Sequence, residues 1–348
     1  MLNKRFKNDK TPIIKLNEIQ LEAKKNIERK INSGTYKFEK INCILCNSNR
    51  FRTLAQKDRY GLEVPTVICL KCGLVQTNPR MDSRSYSQFY NSEYRKLYGG
   101  TNKINSEFFE DQIEKGTKIL KFIETKTNKK IQEKFVVEIG TGAGGILFPF
   151  KNNGNEVLGL DYGSEYIKFG QKKGLNLKVG DINYLENIDR KIDIVIYCHV
   201  LEHLSNPLEE LRKLKKHLHS DSIVYIEVPG LKNLFQSYEQ NFLKYLQNAH
   251  TYHFSKNKIK EISEKAGFRL IYGNEKIESL IKVSSQNPPI IKNEYSEIVT
   301  YLKRLEKQRR KLINFYLIKT KIFKLLLNLL KKINLDKSAK KIYYNLLK

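Results

Sequence analysis

No stretch of this 348-residue chain reaches the roughly 18 uncharged apolar residues that a membrane-spanning helix needs. The first 15 residues carry positive charge but lack the apolar run of a signal peptide, so a cytoplasmic protein is expected. Tryptophan is absent, and arginine supplies only 14 of the 64 basic side chains. Both shortages weigh against nucleic-acid recognition, although the formal net charge is +27. Lysine, isoleucine and asparagine dominate, a bias that AT-rich coding alone produces. Acidic residues are scarcest at the end: residues 301–348 carry 15 basic and 2 acidic side chains, so nearly half of the excess charge is local to that segment.

Cysteine is also scarce, with five in all, but four of them are ordered. Cys43, Cys46, Cys69 and Cys72 form C-x2-C-x22-C-x2-C, the spacing of two thiolate knuckles around tetrahedral zinc. Gly73 after the last of them permits the tight turn, and Pro79 ends the module. Paired disulfides would require an exported protein, which the N-terminus does not suggest. Cys198 stands alone in an apolar context and reads as a packed thiol.

What the chain has in place of long apolar runs is a rhythm of short buried strands with acidic ends. Val136-Val137-Glu138-Ile139 runs into Gly140-Thr141-Gly142-Ala143-Gly144-Gly145, a strand opening into a glycine loop. An acid two places before G-x-G-x-G differs from the dinucleotide fingerprint, whose glycines make room for a pyrophosphate. Here a carboxylate can anchor an ammonium group while bare glycine backbone lies against an adenosine. Val157–Asp161 is a second strand with a terminal acid, 21 residues after Gly140, near the spacing at which an acid accepts ribose hydroxyls. Leu177–Asp181 repeats the pattern, and Asp181 is placed to accept from an adenine amino group. Asp193–Ile196 and Ile223–Pro229 supply further strands of a parallel α/β sheet.

With Glu138–Gly144, Asp161, Asp181 and the segment Cys198-His199-Val200-Leu201-Glu202-His203-Leu204, residues 105–275 resemble the class I S-adenosylmethionine-dependent methyltransferases. The resemblance implies that family's Rossmann-like sheet with a reversed last strand, helices on both faces, and its cofactor. It puts Glu138, Gly140, Gly142 and Gly144 on the methionine side, Asp161 at the ribose and Asp181 at the adenine, with His199 among the cofactor-binding residues and the segment of His199 and His203 shaping the pocket floor. With the cysteine module, a tyrosine-rich segment and the loop Ala249–Ser255, the chain is similar to zinc-ribbon methyltransferases of deoxysugar and surface-polysaccharide biosynthesis. In the sugar C-methyltransferase branch this loop reads approximately Y-H-E-H-x-S-Y-F-S. His250 and Phe254-Ser255 match it, whereas Gln247, Ala249 and His253 depart from it.

These departures favour O-methylation, with His250 and His253 as candidate proton acceptors, over C-methylation. An RNA methyltransferase and a non-enzymatic binding module are the alternatives. The expected organisation is an N-terminal helical extension (1–40), a zinc ribbon (41–82), a tyrosine-rich connector or lid (83–104), the methyltransferase domain (105–290) and a basic amphipathic tail (291–348). No internal repeat is visible. Apolar periodicity predicts helices at Leu16–Ile31, Phe108–Lys121, Pro207–Leu218 and Ser255–Ala266, and places Tyr90, Tyr94 and Tyr98 on one helical face. From Leu312 to Leu335 a lysine stripe faces a broad apolar surface, suited either to an anionic membrane surface or to a homodimer contact. The acceptor is expected to be a sugar, and Zn2+ and S-adenosylmethionine are the expected bound groups.

Overall fold

The computed structural model describes residues 1–100, 106–285, 289–311 and 314–331. Asn17 and Gln20 cap each other reciprocally to start α1 (Glu18–Asn32), which buries Ala23 and Ile27 as the periodicity requires. Phe38–Glu39 (β1), Phe51–Lys57 (β2), Glu63–Cys69 (β3), Val75–Thr77 (β4) and Arg80–Met81 (β5) build the N-terminal β module. β2, β3 and β4 form an antiparallel ribbon, and β1 pairs with β5. Asp82 caps α2 (Ser83–Ser92), and α3 (Tyr94–Gly99) follows directly. The expected single helix breaks at Glu93, where φ is −112°. The tyrosine rings still adjoin, with centroids 4.9 Å apart for Tyr90 and Tyr94 and 4.8 Å for Tyr94 and Tyr98.

The large sheet begins after α4 (Ser106–Thr127) with β6 (Phe135–Ile139), buried along its whole length. The chain then alternates through α5 (Leu147–Asn152), β7 (Glu156–Asp161), α6 (Ser164–Lys172), β8 (Leu177–Val179), β9 (Ile192–Cys198), α7 (Pro207–Lys215) and β10 (Leu218–Glu227). Helix α7 ends earlier than its apolar pattern predicts, because Leu218 pairs with Ile192 and opens β10. An insertion carries α8 (Phe242–Tyr245) and β11 (Tyr252–His253), before α9 (Lys256–Lys265), β12 (Phe268–Gly273) and β13 (Glu278–Val283) complete the sheet. Its order is β12-β13-β10-β9-β6-β7-β8. Strands β6 to β10 are parallel, and β13 runs against both neighbours, the reversed last strand implied by the resemblance.

Two connections tie the β module to this sheet. β11 pairs antiparallel with β4, matching Tyr252 to Gln76 and His253 to Val75, so the insertion becomes the ribbon's fourth strand. The second is α10 (Tyr295–Arg309), which precedes α11 (Phe315–Lys331). The segment from 291 is not a separate tail: Ile298, Leu302 and Leu305 are fully buried in a cluster with Phe6, Ile68 and Leu246. Glu294 N–H donates to Cys72 C=O at 3.1 Å, and a Cβ on Gly73 would lie 2.6 Å from the Glu294 backbone. Gly73 therefore serves both the knuckle turn, with φ of +79°, and this close approach. Residues 312, 313 and 332–335 of the amphipathic pattern lie outside the described residues.

Candidate active site at the carboxyl edge of the sheet

The loop after β6 is held to the next strand, since the N–H groups of Gly140 and Thr141 both donate to Leu160 C=O, at 2.8 and 3.0 Å. Gly140 has φ of +73°, and a Cβ there would meet Val200 at 2.5 Å; a Cβ on Gly142, at +56°, would meet nothing within 4 Å. Bare backbone thus borders open space above the strand ends. Burial raises the Glu138 carboxyl to about 8, opposed by the Thr141 hydroxyl that donates to it at 2.6 Å and assisted by the Asp161 charge. Asp161 accepts from Gly142 N–H at 2.9 Å and Gly163 N–H at 2.7 Å, which leaves two of a carboxylate's four acceptor positions. Asp181 accepts from the Tyr162 hydroxyl at 2.6 Å and Asn183 N–H at 2.9 Å. Carboxylates at three strand ends around glycine backbone suit a ligand with an ammonium group, a ribose and an adenine, so these residues fit S-adenosylmethionine.

The tyrosine-rich segment lies over this edge. Arg95 stacks 3.5 Å from the centre of the Tyr166 ring and approaches Asp161 at 3.9 Å. Tyr90 Oη lies 3.1 Å from His203 Nδ1, and Ala249 N–H donates to Tyr98 Oη at 3.0 Å.

Beside the glycine loop, His199 follows β9 in the left-handed region, with φ of +58°. Its side chain is 49% exposed. Nδ1 lies 3.4 Å from Glu202 Oε1, and Nε2 lies 3.7 Å from Glu227 Oε1, too far for a hydrogen bond. Desolvation alone would lower the pKa of His199. The Glu202 hydrogen bond and charge, with Glu227 behind them, outweigh it and hold the ring above its ordinary value. Glu227 is itself braced by the Tyr225 hydroxyl and by Lys115 of α4.

His250 and His253, the candidate proton acceptors, occupy a deeper layer, with exposures of 2% and 1%. The Gln247 side-chain amide contacts His250 Nε2. Burial, reinforced by the nearby His203 and His253 rings, pushes His250 well below its usual value, and burial alone takes His253 to about 3. Both rings are therefore neutral. Around them lie buried polar atoms with no protein partner: Glu202 Oε2, His250 Nδ1, both ring nitrogens of His253, Asn248 Nδ2 and the Gln76 amide. Buried polar atoms require a partner, here water or a ligand. Glu202, His203 and His250 bring their ligating atoms within 4.8 Å of one another at the heart of this layer.

The four module cysteines meet at the ribbon end. Cys43 Sγ lies 3.4 Å from Cys72 Sγ, Cys46 Sγ lies 3.5 Å from Cys69 Sγ, and all four sulfurs fall within 4.8 Å. Tetrahedral zinc with bonds of about 2.3 Å sets sulfurs about 3.8 Å apart, so the donor set fits that ion. Cys198 is separate, and burial raises its thiol well above the usual range.

Residues 109–272 match the family described as the methyltransferase domain. No curated protein matches the chain. Among solved structures it is similar to magnesium protoporphyrin IX methyltransferase from Synechocystis PCC 6803 with bound SAH, at 18% identity and TM-score 0.41, covering 59% of this chain and 100% of that one. It is also similar to a SAM-dependent methyltransferase from Archaeoglobus fulgidus, at 23% identity and TM-score 0.38, covering 57% and 88%. Likeness at this level says nothing of a substrate. The sheet, the strand-end acids and the domain match define a class I S-adenosylmethionine-dependent methyltransferase domain. This chain is a methyltransferase enzyme carrying that domain behind a four-cysteine β module.

The sequence did not single out Glu227 or Arg95, and it held Glu202 only within a signature. The acidic end of Ile223–Glu227 was the available signal for the first.

Proposed function

We propose that this enzyme transfers a methyl group to a hydroxyl of a sugar, presented as a nucleotide sugar or within a surface glycan, and that its ribbon holds structural zinc. The observation that favours the acceptor class is the concentration of partnerless buried polar atoms at His250, Asn248, Gln76 and Glu202, the last of which lies 3.4 Å from His199. A polyhydroxyl ligand meets such a set of donors and acceptors, whereas a flat apolar acceptor would leave them unpaired at about 1 to 3 kcal/mol each.

Bound S-adenosylmethionine supplies an already activated methyl group, so the chain's task is to align the acceptor and receive its proton. His199 performs the second part. With Glu202 accepting a hydrogen bond from Nδ1–H, Nε2 keeps its lone pair, and the acceptor hydroxyl proton passes to it as the oxygen takes the methyl group. Tyr90, Tyr94 and Arg95 cover the edge against water. Glu138, Asp161 and Asp181 hold the cofactor's ammonium, ribose and adenine.

Mass spectrometry of surface glycans and nucleotide sugars from a strain lacking this protein tests the reading. One sugar species should lose the mass of a single methylene. Unchanged glycans and nucleotide sugars, with a methyl group missing from RNA or protein, would contradict it.

A further inference from the structure

Helix α11 contains no acidic residue among its seventeen. Its near side rests on the Tyr238–Gln240 turn, where buried Asn314 donates to Gln240 at 2.8 Å and accepts from Leu317 N–H at 3.2 Å, fixing the start of the helix. Among the described residues the other side has no such neighbour: Ile318, Ile322, Leu325 and Leu326 are 42%, 54%, 64% and 49% exposed. Their spacing of four, three and one puts them in a single stripe about 100° wide. Lys319 and Lys321 border that stripe on its two edges, and both are exposed. Just upstream, Lys303, Arg304, Lys307, Arg310 and Lys311 are exposed as well.

From this arrangement we infer that α11 docks the enzyme on an anionic lipid bilayer, lying in the plane of the interface with the Ile318–Leu326 stripe among the acyl chains. Seventeen residues make a helix about 25 Å long, short of the roughly 30 Å hydrocarbon core. Among the described residues no helix is long and apolar enough to cross a membrane. A flanked apolar stripe suits the boundary between headgroups and chains, where lysines meet lipid phosphates while the stripe leaves water. Charge selects this occupant over a second copy of the chain: pairing two α11 stripes would bring the bordering lysines of two strongly cationic molecules together, whereas an anionic surface neutralises them. The inference does not depend on the acceptor proposed above.

Flotation of the full-length protein with vesicles provides the test. Partitioning onto phosphatidylcholine vesicles containing phosphatidylglycerol should exceed that onto phosphatidylcholine alone by at least about tenfold and should fall with added salt. Ile322→Asp with Leu325→Asp should abolish it, and Lys319→Glu with Lys321→Glu should reduce it by a similar factor. All four positions are exposed and outside the cofactor site, so calorimetric affinity for S-adenosylmethionine should be unchanged and reports intact folding. Binding that ignores these substitutions, or absence of flotation with either vesicle, overturns the inference. A dimer seen by light scattering that Ile322→Asp with Leu325→Asp converts to monomer, without any vesicle binding, assigns the stripe to a second copy instead.

Discussion

At the scale of single residues, the site depends on how carboxylates set the ionisation of their neighbours. His199 can accept a proton only when neutral, and its pKa is raised, so turnover should fall as pH drops through a value above the ordinary histidine range of about 6.5. Glu202→Gln removes the leading upward influence and should move that acid limb to lower pH. His199→Ala should reduce turnover by about 10²-fold or more, with S-adenosylmethionine affinity nearly intact; a normal rate would exclude the role. Glu138 gives a second pH signature. Its carboxyl titrates near 8 in the ligand-free protein, but it must be ionised to hold an ammonium group. Cofactor affinity should therefore rise about tenfold from about pH 6 to about pH 7 and binding should release a proton, an effect Glu138→Gln should flatten. Calorimetry in buffers of different ionisation enthalpy measures both quantities.

At the scale of elements, the ribbon and α10 form one support for the loop that carries His250. Cys72→Ser should lose one zinc per chain by elemental analysis and loosen the β4–β11 pairing with it, because structural zinc contributes folding energy directly. Full retention of metal would disprove the four-thiolate site. Leu302 is fully buried in α10, so Leu302→Ala should lower stability by about 2 to 5 kcal/mol, readable in denaturant titration; a tail independent of the body would show no such loss. This docking was not legible in the sequence, where the charge of residues 301–348 masks the stripe Ile298, Leu302 and Leu305. The glycine loop and the acids of β6, β7 and β8 were legible because each motif is local, with its function in a few adjacent residues. The His199 clamp was not, because Glu227 reaches it through the parallel register that pairs it with Cys198 across β9 and β10. The burial of His250 and His253 likewise follows from a pairing of β11 with β4, distant in the chain. Periodicity reports a face, not what covers it.

At the scale of the whole molecule, one body brings a methyltransferase sheet, a thiolate-lined ribbon and a lysine-bordered helix into fixed relation. The glycine loop and the strand-end acids line one edge, the insertion and tyrosine-rich helices cover it, and the buried polar layer lies between them. Under the proposed function a methyl group passes from S-adenosylmethionine to a sugar oxygen at that edge. The most direct test is to incubate the purified enzyme with S-adenosylmethionine labelled with heavy carbon in the methyl group and with nucleotide sugars and glycan extracted from a deletion strain. Carbon NMR of the product then locates the label. A new signal is expected in the O-methyl region, coupled to a sugar ring position and lost with His199→Ala. A signal in the C-methyl region, or label recovered only in RNA or protein, would contradict it.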